Sequence, residues 1–155
     1  MNDAFTYSEL EPIIREKLAL GAEVTIQPKG TSMLPLIRQG LDEVILKLPE
    51  GRLKKYDIPF YKRKNGQFVL HRIVKVRRND YVLCGDNQTA WEYGITDDMI
   101  IGVVCGIKRD GKIIRNDNRE YLKYCKGHVR KQRIRGRLGL LRAAASRLKR
   151  KIIKK

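Results

Sequence analysis

The chain has 155 residues, 42% of them hydrophobic and 33% charged, with 34 Lys and Arg against 17 Asp and Glu. That length suits one domain with a short appendage. Its longest near-continuous apolar stretch, residues 99–107 with two glycines, falls far short of the roughly 20 residues of a membrane-spanning helix. The first residues lack the basic and apolar regions of a secretory signal. The expected location is therefore the cytoplasm, with peripheral attachment to a membrane left open.

Thr6 to Glu9 reads as a capping box, a hydroxyl acceptor with a carboxylate three residues later. Leu10, Ile13, Ile14 and Leu18 follow at helical spacing, and Gly21 supplies a left-handed stop. One amphipathic helix packed on the body is expected there. Short strands follow: Val24 and Ile26, the run 44–48, Ile58 to Tyr61 with Pro59 at its start, Phe68 to Val76, and Tyr81 to Cys84. Met99 to Ile107 and Lys112 to Ile114 flank Asp110-Gly111, a strong hairpin signal. The expected fold is mainly β. Cys84 and Cys105 read as small buried apolar residues, since no C-x-x-C pair or neighbouring histidine suggests a metal site. No metal or cofactor is expected.

Three stretches carry candidate chemistry. In Gly30-Thr31-Ser32-Met33-Leu34-Pro35 a tight turn can expose the serine and aim backbone N–H groups at an oxyanion. By itself this is also an ordinary Gly/Pro loop. His71 lies within the apolar run Phe68 to Val74 and has the ordinary chemistry of a general base for a hydroxyl, although a lone strand histidine is often structural. Gly85-Asp86-Asn87 closes the Tyr81 strand, with Glu92 six residues beyond Asp86. A carboxylate here can orient an imidazole, and a plain Asx turn has the same sequence.

The order of these boxes resembles the signal peptidase I and LexA-type serine peptidase clan, from about Val24 to Ile107. The matching elements are the serine box 30–35, the base-bearing strand 69–74 and the Gly-Asp-Asn box 85–87. Tyr56-Asp57-Ile58 is similar to the clan's Gly-Asp-Ile strand with Tyr56 replacing the glycine, and Gly40-Leu41-Asp42 carries one extra residue. His71 in place of a lysine resembles the Ser-His branch of archaeal and endoplasmic-reticulum signal peptidases. The resemblance implies an extended antiparallel β-structure and a serine endopeptidase with no cofactor. It would cut a precursor or leader peptide after small side chains. Ser32 would be the nucleophile and His71 the base. Gly30, Thr31, Met33 and Pro35 would shape the oxyanion and substrate site. Asp86 is the expected orienting acid and Glu92 the alternative.

Charge divides the chain at Lys126. Residues 1–125 hold 21 basic and 17 acidic side chains, whereas residues 126–155 hold 13 basic and none acidic. The expected organisation is a peptidase domain over 1–125 and a basic amphipathic tail over 126–155. Ile134, Leu138, Leu141, Ala145, Leu148 and Ile152 form one helical stripe. Residues 127–155 can thus lie on an anionic membrane surface, bind nucleic-acid phosphates, or pack on the body. The competing function is a non-catalytic module of peptidase fold that uses this tail on nucleic acid or a protein partner.

Overall fold

The computed structural model describes residues 6–117 and 119–153, with side chains described as far as Gly136 and again at Leu138. Helix α1 (Tyr7–Ala19) begins at the capping box. The Thr6 hydroxyl accepts from the Glu9 N–H at 3.4 Å, and the Glu9 carboxylate accepts from the Thr6 N–H at 2.7 Å. Two backbone donors that the helix start would leave orphaned are thereby paired. Ile14 and Leu18 are buried, while Ile13 faces solvent.

Nine strands follow: β1 (Val24–Ile26), β2 (Glu43–Lys47), β3 (Pro59–Lys62), β4 (Phe68–Leu70), β5 (Arg72–Val76), β6 (Tyr81–Cys84), β7 (Glu92–Ile95), β8 (Ile100–Arg109) and β9 (Lys112–Arg115). All pairings are antiparallel. The larger sheet runs β1-β2-β8-β3-β4 with β9 also on β8, and the smaller runs β5-β6-β7. The near-continuous apolar run of β8 is buried from Ile100 to Ile107, as expected of a strand with neighbours on both edges and cover on both faces. Asp110 and Gly111 both have positive φ, 48° and 75°, the backbone a tight hairpin requires.

Helix α1, the larger sheet, the smaller sheet and a C-terminal helix α2 (Arg119–Ile153) stack in that order. Leu18 of α1 packs with Val44, Leu46, Phe60 and Ile101 on one face of the larger sheet. Tyr61, Ile100 and Val103 meet Ile73, Tyr81 and Leu83 between the two sheets. Val74, Val82 and Cys84, on the opposite face of the smaller sheet, meet Val129 of α2. Successive strand residues point to opposite faces, so Tyr81 and Leu83 serve one interface and Val82 and Cys84 the other.

The structure differs from the sequence reading in one strand and adds to it in two places. The run Phe68 to Val76 is not one strand: β4 and β5 lie in different sheets, with Leu70 opposite Phe60 and Arg72 opposite Cys84, and His71 sits at the crossing. Glu92 to Ile95, unassigned from sequence, is β7. Helix α2 starts at Arg119 and runs through the change of composition at Lys126. Tyr121, Cys125, Val129 and Gln132 are the buried face of α2, spaced four, four and three apart as one helical face must be. The stripe beginning at Ile134 lies off this face, with Ile134 50% and Leu138 47% exposed. The side chains of Leu141, Ala145, Leu148 and Ile152 lie outside those described.

Candidate active site

Ser32 lies in a run of turns between β1 and β2. Gly30 enters it at φ +95°, a backbone open to glycine and strained for other residues. Met33 and Ile37 reach down into the core beneath α1 and so pin the turn from below. Its far end is closed by Asp42, the residue displaced by the extra Leu41. The buried Asp42 carboxylate takes Arg38 at 2.8 Å and Arg109 at 2.6 Å, and Arg109 also donates to the Leu36 carbonyl at 2.6 Å. Neither the Ser32 nor the Met33 N–H meets an acceptor among the described residues. Pro35 follows a cis peptide bond and is exposed.

The Gly-Asp-Asn turn grips this segment from above. The Asn87 N–H donates to the Ser32 carbonyl at 2.8 Å, and the Asn87 amide donates to the Thr31 carbonyl at 3.3 Å. A Cβ on Gly85 would stand 2.7 Å from the Ser32 carbonyl oxygen and 3.1 Å from His71 Nε2. The Ser32 carbonyl and His71 Nε2 therefore both lie against Gly85, and only a glycine leaves room there. Gly30, Thr31, Ser32, Met33 and His71 line a groove of about 320 Å³, together with Phe68 and Val69 of β4.

His71 is 4% exposed. Its Nδ1 lies 3.3 Å from the Tyr61 hydroxyl and 3.4 Å from Glu92 Oε2. Tyr61 directs its own proton to Glu92 at 2.7 Å, so its oxygen is an acceptor toward Nδ1. Both neighbours of Nδ1 thus accept, which places the ring proton on Nδ1 and leaves Nε2, the nitrogen beside Gly85, as the basic atom. Burial lowers the His71 pKa from its ordinary value; the Glu92 charge opposes this, and the Arg63 charge adds to it. The imidazole is consequently neutral at neutral pH, the form a base needs. Burial pushes the Glu92 carboxyl up, but hydrogen bonds from Arg63 and Tyr61 outweigh it and hold the pKa below the usual value. Arg63 is bidentate on Glu92, at 2.6 and 2.5 Å.

Asp86, the expected orienting acid, is not the carboxylate on the imidazole; Glu92 occupies that place. Asp86 forms a bidentate pair with Arg72 at 2.8 and 2.6 Å, and both side chains are fully buried. Strand parity explains the exchange. Glu92 sits opposite Leu83 and shares its face toward Tyr61 and His71, whereas Asp86 continues the side of Val82 and Cys84 toward α2. Arg72 also donates to the Tyr56 carbonyl at 3.1 Å and reaches Tyr121 and Cys125 of α2. Tyr56 has φ +84°, the conformation a glycine adopts without strain.

Sequence reasoning missed Tyr61 and Arg63. Their signal was a two-residue spacing, Tyr61 on β3 and Arg63 just beyond its end, which puts both on one side of extended chain. Of the cysteines, Cys84 is pushed up to about 11 by burial and so is a poor nucleophile beside Ser32. Comparison of the sequence with protein-family models and with curated proteins finds no match. The protein is mainly β, with antiparallel sheets and a helix at each end, and no helix among the described residues is long and apolar enough to cross a membrane.

Proposed function

We propose that this chain is a serine endopeptidase of the Ser-His kind, resembling signal peptidases, that cuts a precursor or leader peptide. The observation that carries the reading is that Ser32 and His71 line one groove, where the Ser32 carbonyl and the basic Nε2 of His71 both lie against Gly85, with Glu92 behind the ring. Ser32 Oγ attacks the peptide carbonyl as its proton passes to Nε2. The oxyanion is met by the unpaired Ser32 and Met33 N–H groups. The imidazolium returns the proton to the leaving amine, and water then releases the acyl group from Ser32 by the reverse sequence. Replacing either Ser32 or His71 by alanine is expected to abolish cleavage of a peptide library and labelling by a fluorophosphonate, with the circular dichroism of the folded chain unchanged. Full labelling of Ser32→Ala would end the assignment.

The outer part of α2 serves as an anchor on an anionic membrane surface. Ile134 and Leu138 are about half exposed, and Ile134 flanks a groove that Lys55, Lys126, Arg130 and Arg133 line with no acidic residue. Apolar side chains among cations suit an interfacial helix, each cation near the headgroups adding about 1 kcal/mol. A chain ending at Gly136 keeps the docked face of α2. It is expected to lose co-sedimentation with anionic vesicles that the full chain shows. Equal binding by both rejects the anchor, and displacement by modest RNA moves the assignment to nucleic acid.

A further inference from the structure

The inner face of α2 ends on the turn that holds Ser32. Gln132 is 2% exposed. Its amide nitrogen donates to the Gly85 carbonyl at 2.5 Å and the Gln88 carbonyl at 2.8 Å, and it lies 3.3 Å from Cys84 Sγ. One turn earlier, His128 Nε2 donates to the Asp86 carbonyl at 2.7 Å. Three residues of the Gly85–Gln88 turn, Gly85, Asp86 and Gln88, are therefore tied to α2 through their carbonyls. The opposite side of the same turn carries the Asn87 N–H and amide that fix the Ser32 and Thr31 carbonyls.

We infer that Gln132 is a positioning residue that holds Ser32 against His71 through the Gly85–Gln88 turn. The inference rests on the reading of Ser32 as nucleophile. It adds that the site is incomplete without the C-terminal helix. A buried amide is suited to this task, because it satisfies two backbone carbonyls at once while bringing no charge near the Arg72–Asp86 pair. Removing it leaves those carbonyls without the donor and frees the turn to shift. A shift of Asn87 carries the Ser32 carbonyl with it, and Gly85, which lies against both that carbonyl and His71 Nε2, moves in the same turn. Misplacement of reacting groups by about 1 Å lowers turnover about 100-fold.

The test is Gln132→Met, which keeps the length and volume and deletes the donor. In the full-length chain kcat is expected to fall about 10- to 100-fold, with KM and the acidic limb of the pH–rate profile unmoved, because Gln132 touches neither groove nor imidazole. Amide hydrogen exchange supplies a readout independent of activity: the Asn87 N–H, bonded to Ser32, should lose protection. Gln132→Asn, too short to reach both carbonyls, should show a smaller loss of both kinds and serves if the methionine variant does not fold. Wild-type kcat, or unchanged Asn87 protection, in a folded variant would overturn the inference. An unreactive Ser32 in the wild-type chain, with Asn87 protection still lost in the variant, would instead overturn the peptidase reading and leave the hold of α2 on the turn standing.

Discussion

Asp86→Asn is expected to lower stability by about 3–5 kcal/mol, the usual result of removing one partner from a buried ion pair, and to lose activity only in proportion to unfolding. Both partners have no exposed side-chain surface. Arg72 cannot give up its proton to escape, because burial favours the neutral form but a guanidinium is so basic that it stays charged in proteins even without its partner. Asparagine would leave a guanidinium unmatched among Tyr121, Cys125 and the Tyr56 carbonyl. Urea unfolding followed by circular dichroism, beside turnover per folded molecule, checks this. A variant of wild-type stability that has lost turnover would return Asp86 to the imidazole.

Glu92→Gln has the opposite signature. The fold is expected to survive, since Arg63 is partly exposed and keeps a hydrogen bond to Gln67. Turnover is expected to fall about 10²- to 10⁴-fold, as when the acid of a Ser-His-acid triad is neutralised. An amide that donates toward Nδ1 favours the tautomer with the proton on Nε2, where it blocks acceptance from Ser32. The pH dependence gives a second readout. The Glu92 charge raises the His71 pKa against the dominant effect of burial. Its loss makes the imidazolium harder to form, so the acidic limb of kcat/KM, already expected below the ordinary histidine value near 6.5, moves to still lower pH. A limb that moves upward, or near wild-type turnover, would remove Glu92 from the mechanism.

What the sequence determined was local. Thr6 and Glu9 cap α1 because three residues of helix bring them together wherever the helix sits. Asp110-Gly111 turns back because few other pairs accept positive φ twice. Pro59 starts a strand because it has no N–H to give to a ladder. The order Ser32, His71, Gly-Asp was also readable, since each box is contiguous in the chain. The tertiary structure decided the rest. Which acid meets His71 depends on which face of the smaller sheet looks toward Tyr61, and that parity follows from the chain changing sheets at His71. The apolar run Phe68 to Val76 hides that crossing, because both segments are buried and buried strands read alike. The functional face of α2 was equally hidden. Its docked residues are a tyrosine, a cysteine, a valine and a glutamine, which form no apolar stripe. Ile134 and Leu138, which open the stripe that can be read from the sequence, lie off the docked face, because Gln132 is held by backbone carbonyls of a turn more than 40 positions earlier in the chain.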